Sequence, residues 1–159
     1  MHPSTAKIYR DILTRTAARY LTVRPHGIEL APGYQPLKQL SVLITEHGAA
    51  RTLYRDRKPV CRSLDAIRAL RDPSIQCYEC VDRESCTPQL RVDLIYDCAP
   101  YRLLLAYTSA RNFLFYHTEI VKARRNLSEI ITRIRVINRG TWGELKFTPA
   151  TPAARSEPA

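Results

Sequence analysis

The sequence has few of the features on which several large classes of protein depend. It contains five glycines, and none belongs to a glycine-rich turn of the kind that cradles phosphate in nucleotide-binding enzymes. Its longest apolar runs, residues 103–107 and 113–116, are far shorter than the about 20 residues that cross a bilayer. The N-terminal stretch MHPSTAKIYRDIL has no apolar segment that would direct secretion. We therefore expect a soluble protein with no membrane partner, located in the cytoplasm or associated with the nucleoid.

Acidic residues are also scarce. The chain has 15 Asp and Glu against 25 Lys and Arg, which gives a formal net charge of +10. The basic excess lies on both sides of residues 61–88 and is absent from that segment. An excess of this size most often indicates a polyanionic partner, and nucleic acid is the commonest one.

Hydrophobic periodicity predicts an α+β or mostly β fold. Residues 4–21 have the spacing of an N-terminal helix, and Ser63 is placed to cap a short helix over residues 64–72. The remaining expected elements are a long, bent strand over 39–55, strands over 89–97, 101–108, 130–137 and 141–148, and a helix over 109–125. This order is that of a five-stranded OB-like barrel, with an α+β sandwich as the alternative. We expect one domain over residues 1–148 and a disordered Pro/Ala-rich tail over 149–159.

The insert at residues 61–88 holds four of the five cysteines. Cys77 and Cys80 have the C-x2-C spacing that lets two sulfurs bind one metal, and Cys61 and Cys86 complete a possible set of four. Four thiolates at about 2.3 Å would form a tetrahedral structural zinc site. The spacing C-x2-C-x5-C with a remote fourth cysteine is also similar to that of [4Fe–4S] sites in some DNA glycosylases and nucleases. Free thiols without metal are the remaining interpretation, and Cys98 is expected at a hairpin tip.

A cationic strand face is the predicted nucleic-acid contact. Arg133 and Arg135 alternate along one strand, and Trp142 lies on the facing one, on the side away from its apolar residues. Cations neutralise phosphate and an exposed indole stacks an unpaired base, which suits single-stranded nucleic acid. The full predicted set is Arg133, Arg135, Arg139, Trp142, Lys146, Arg91 and Arg102.

These features predict a non-catalytic single-stranded nucleic-acid-binding protein with a structural zinc loop. The layout resembles the phage-type single-stranded DNA-binding proteins that carry a zinc subdomain within an OB-fold, which implies a phage or mobile-element role. The tail lacks the acidic run by which such proteins recruit partners. The alternative is a small zinc-containing subunit that docks onto a larger nucleoprotein complex. A nuclease is a third hypothesis, because Glu144 and Lys146 form an E-x-K pair with Asp93 and Asp97 upstream.

Overall fold

The computed structural model of the protein describes residues 18–150. Nine strands and one α-helix form most of this part of the chain, and none of its helices is long and apolar enough to cross a membrane. The strands are β1 (Arg19–Tyr20), β2 (Thr22–Arg24), β3 (Gly27–Glu29), β4 (Gln39–Arg55), β5 (Lys58–Ser63), β6 (Thr87–Tyr96), β7 (Ala99–Leu105), β8 (Ile131–Asn138) and β9 (Gly143–Pro149), and the helix is α1 (Tyr107–Lys122).

Strand β4 is the centre of the main sheet. Along one edge it pairs with β6, and along the other its first half pairs with β8 and its last residues pair with β5, always antiparallel. The hairpins β6–β7 and β8–β9 extend the sheet on the two sides. A register shift between Ile44 and Glu46 allows β4 to bend. The long first strand, the two later hairpins and the helix between them are confirmed, within a few residues at their ends.

One hydrophobic core lies between the curved sheet and α1. The alternating residues Leu40, Val42 and Ile44 of β4 are almost fully buried, because successive side chains of a strand point to opposite faces. Helix α1 buries Phe113, Tyr116 and Ile120, which recur at the spacing of one helix face. Residues from both ends of the sheet, including Leu105 and Phe147, belong to this same core.

The predicted five-stranded closed barrel is wrong, because the main sheet is a mixed sheet that stays open in the described part of the chain. The outer edge of β7 is paired in parallel by β1, with Tyr20 opposite Arg102. The separate hairpin β2–β3 lies against the start of β9, where a side chain at Gly143 would collide with the carbonyl oxygen of Arg24. Residues 19–29 therefore occupy the gap that a β7–β9 pairing would need to close.

Two predicted helices need correction. Residues 4–17 of the expected N-terminal helix lie outside the described residues, and Arg19–Tyr20 form a strand instead of its last turn. Residues 64–72 are not helical, because the carboxylate of Asp65 accepts hydrogen bonds from the Ile67 and Arg68 amides and fixes a local turn. The disordered tail was expected to begin at residue 149, but Pro149 is the last residue of β9. Residues 151–159 of the expected tail lie outside the described residues.

Candidate functional site

The segment 64–86, here called the thiol loop, folds back against β4, β5 and β6. The Leu70 amide donates to the Arg62 carbonyl oxygen at 2.8 Å, and the Cys77 amide donates to the Ile67 carbonyl oxygen at 2.7 Å. From the sheet, the Arg91 guanidinium donates to the Leu64 carbonyl oxygen at 2.9 Å. These contacts fix a long segment that has little secondary structure of its own.

Four cysteines from this region line one small cavity. Cys61 comes from β5, whereas Cys77, Cys80 and Cys86 come from the thiol loop. Two consecutive turns place the loop cysteines on the same cavity. In the first turn the Cys80 amide donates to the Cys77 carbonyl oxygen, and in the second the Arg83 amide donates to the Cys80 carbonyl oxygen. The cavity measures about 20 Å³. A volume of this size holds about one water-sized occupant.

The expected metal-binding insert is not present as a formed metal centre. Within residues 18–150, no three or more His, Cys, Asp and Glu side chains are arranged so that they could hold a metal ion. The thiols are nevertheless neighbours: burial, followed by the nearby Cys80, Cys61 and Cys77, raises the pKa of Cys86. Cys86 therefore favours its protonated form in this arrangement, and a protonated thiol does not bind a cation. Cys98 is exposed in the β6–β7 turn and does not line the cavity.

Arginines form much of the wall of the thiol cavity. Arg51, Arg62, Arg71 and Arg83 all line it, against one carboxylate, that of Asp82. Arg62 is held in place by the ring of Tyr20, whose centroid lies 4.4 Å from the guanidinium carbon. Positive charge near a sulfur favours the thiolate, and Arg51 acts in this direction on Cys86 although burial outweighs it, so the wall suits an occupant that leaves negative charge on the sulfurs.

Two of the predicted nucleic-acid contacts belong to an internal ion-pair network. Asp93 lies directly opposite Arg102 in the β6–β7 pairing, and its carboxylate contacts the Arg102 Nε at 2.6 Å and the Arg91 Nε at 3.3 Å. The side chains of Arg91, Asp93 and Arg102 are only 14%, 11% and 20% exposed. Arg91 also contacts Glu46 at 2.8 Å. Their charges are therefore engaged within the sheet rather than presented to a ligand.

The other five predicted contacts lie together on the β8–β9 hairpin. Arg133 and Arg135 point to the face away from the core, and Arg135 lies directly opposite Lys146. Arg139 follows at the end of β8, and its amide donates to the Trp142 carbonyl oxygen at 2.9 Å. Trp142 itself is 44% exposed. We call Arg133, Arg135, Arg139, Trp142 and Lys146 the cationic surface.

Glu144 organises this surface, which the sequence pattern did not reveal. Its nearly buried carboxylate contacts Arg139 at 2.6 Å and Lys146 at 2.7 Å, and it accepts a hydrogen bond from the Asn112 amide at 2.9 Å. Hydrogen bonds from Lys146, Asn112 and Arg139 lower the pKa of Glu144 to about 2. The group is therefore a carboxylate at all physiological pH values, and it fixes two cations beside the indole. Asp93 lies in the separate network with Arg91 and Arg102 on β6 and β7, and strands β4 and β8 lie between β6 and β9, so Asp93 is not brought to Glu144.

Comparisons with known proteins did not find a similar protein. No protein-family model, no curated protein sequence and no solved structure matches the chain. The function is therefore argued from the residues themselves.

Proposed function

We propose that this protein binds single-stranded nucleic acid through the cationic surface, with a thiol loop that zinc stabilises. The observation that carries the proposal is the β8–β9 hairpin, which carries four cations and one exposed indole and on which a single carboxylate, that of Glu144, pairs with two of the cations. Phosphates would contact Arg133 and Arg135, while Trp142 stacks on an unpaired base for about 1–3 kcal/mol. Arg139 and Lys146 are already positioned by Glu144, which reduces the ordering that binding requires.

Binding of a labelled single-stranded oligonucleotide, measured at several salt concentrations, tests this proposal. We expect Arg133→Gln/Arg135→Gln to weaken binding and to flatten the slope of log K against log salt by about 1.4, because about 0.7 is lost per phosphate contact. The matched control is Arg57→Gln/Lys58→Gln, which removes the same charge from the exposed β4–β5 turn. Equal effects from both double variants would mean that net charge, not this surface, determines binding.

The docking-subunit hypothesis predicts a different result. A protein that only docks onto a larger complex would show no salt-dependent affinity for any isolated oligonucleotide, and its double variants would behave as wild type. Single-stranded DNA, single-stranded RNA and duplex should be compared in the same assay, since neither the residues nor the surface distinguishes among them.

Zinc binding by the thiol cavity rests on its four cysteines and its size. Zinc capture requires Cys61, Cys77, Cys80 and Cys86 to lose their protons and to close on the ion, which couples metal binding to the order of the loop. The cavity of about 20 Å³ favours one ion over the eight atoms of a [4Fe–4S] cluster. Elemental analysis should find about one zinc per chain, whereas iron with absorbance near 400 nm would identify a cluster instead.

A further inference from the structure

An open groove runs along α1, outside the surfaces described so far. Its volume is about 640 Å³, within the range typical of ligand sites. One wall is a flank of α1 that carries Tyr107, Arg111 and Phe115, and the other wall is the start of β6 at Pro88 and Gln89. No side chain among residues 18–150 fills it.

The exposed aromatic side chains of this groove are unusual for a helix that packs on a core. Tyr107 is 80% exposed and Phe115 is 64% exposed, and both lie on the side of α1 opposite the buried Phe113. The guanidinium carbon of Arg111 lies 5.9 Å from the Phe115 ring centroid. Contiguous exposed apolar side chains indicate a binding surface, and aromatic rings interleaved with cations are typical of sites for unpaired bases.

The charge of the groove favours a polyanion. Glu119 is the one carboxylate that lines it, and Glu119 is paired with Lys122 at 3.0 Å. Arg111 has no acidic neighbour in the lining, and Arg124 and Arg125 are exposed just beyond the end of the helix. A basic or neutral peptide would find the apolar wall but would leave Arg111 without an anionic partner, whereas a phosphate complements it.

The start of α1 lies between the groove and the cationic surface. Asn112, which follows Arg111, donates hydrogen bonds to Glu144 and to the Leu145 carbonyl oxygen, both at 2.9 Å. The first turns of α1 therefore contact β9 on one flank and border the groove on the other, so a nucleic-acid strand that reached both surfaces would cross this part of the helix.

We propose that the groove is a second contact for single-stranded nucleic acid, in which unpaired bases stack on Tyr107 and Phe115 and phosphates face Arg111. This inference rests on the proposed function. The polar side chains of the lining are already engaged: Gln89 accepts from Thr52 and donates to Tyr54, and Thr118 donates to the Leu114 carbonyl oxygen. The contact therefore reads little base sequence, because stacking accepts any base.

The test uses the full chain and the oligonucleotide assay described above. Tyr107→Ala/Phe115→Ala should weaken binding about tenfold or more while leaving the salt slope unchanged, because it removes stacking and no charge. The matched control is Tyr34→Ala, an exposed tyrosine that lies outside the groove. Tyr107→Phe/Phe115→Tyr keeps two rings and should bind as wild type, and photocrosslinking of a 5-bromouracil oligonucleotide to wild type should label Tyr107 or Phe115.

The outcomes separate the two proposals. If wild type binds no oligonucleotide, both fail. If wild type binds and Arg133→Gln/Arg135→Gln weakens it, but the alanine pair binds normally and crosslinks appear only elsewhere, the groove alone is overturned. Loss of a wild-type dimer in the alanine pair, with unchanged oligonucleotide affinity, would instead identify the groove as a surface between two copies of the chain.

Discussion

Replacing Asp93 by asparagine should destabilise the fold more than any surface charge change. The carboxylate contacts Arg102 at 2.6 Å and Arg91 at 3.3 Å, and all three side chains are at most 20% exposed. At an effective dielectric constant of about 20, these attractions amount to about 6 and about 5 kcal/mol before desolvation. Desolvation offsets most of this, but removing one member of a buried ion pair typically costs about 3–5 kcal/mol.

We expect about 3 kcal/mol for Asp93→Asn, at the lower end of that range because some solvent reaches the network. Burial acts to lower the pKa of Arg102, and the hydrogen bond and negative charge of Asp93 outweigh it and raise the pKa, so the variant removes the contact that stabilises the charged guanidinium. The measurement is urea unfolding followed by circular dichroism. The control is Glu119→Gln, which breaks an exposed pair with Lys122 and should change stability by about 0.5 kcal/mol or less. A loss below about 1 kcal/mol for Asp93→Asn would refute the interpretation of these three residues as a buried network.

Two further predictions concern the thiol cavity and His47. Cys80→Ser should abolish zinc retention, because Cys80 is one of the four cysteines that line the cavity. Cys98→Ser should retain about one zinc per chain, because Cys98 does not line it. Equal zinc contents in the two variants would contradict this assignment. Burial, followed by His117 with its ring centroid 4.6 Å away, lowers the pKa of His47 below 6.5. The unfolded chain therefore binds the proton more readily, so stability is complete above about pH 6.5 and falls as the pH drops through the lowered value. His47→Gln should flatten this dependence in thermal melts, whereas His26→Gln, at an exposed turn, should leave it unchanged.

Sequence periodicity predicted the elements whose burial is local and regular. The alternation along β8 and β9 and the helical spacing of Phe113, Tyr116 and Ile120 are confirmed, because each reflects one face of one element on one core. Closure of the sheet is a different kind of property. It depends on a two-residue strand, β1, which pairs with a partner some 80 residues away and leaves no periodic signal.

Some features of the candidate sites could also be predicted from local sequence, and others depend on contacts between distant residues. The spacing of Cys77 and Cys80 was visible in the sequence because a tight turn is local. The ion pair of Arg102 was not visible in the sequence, since it depends on the β6–β7 register that places Asp93 opposite Arg102. The exposed flank of α1 did have a signal in the sequence, because Tyr107, Arg111 and Phe115 are four residues apart, the spacing of one helix face.

The thiol loop leads directly into one wall of the groove, so a metal bound by the loop would affect the groove as well as the order of the loop. Cys86 ends the loop two residues before Pro88, which forms the far wall of the groove. Arg51, on the central strand, donates to the Arg83 carbonyl oxygen, and Arg55 pairs with Asp82, so the C-terminal end of the loop is tied to the sheet on which that wall depends. An ion held by Cys61 and Cys86 would clamp β5 to the start of β6. If zinc is bound there, we therefore expect chelated protein to bind oligonucleotide more weakly through a loosened groove wall.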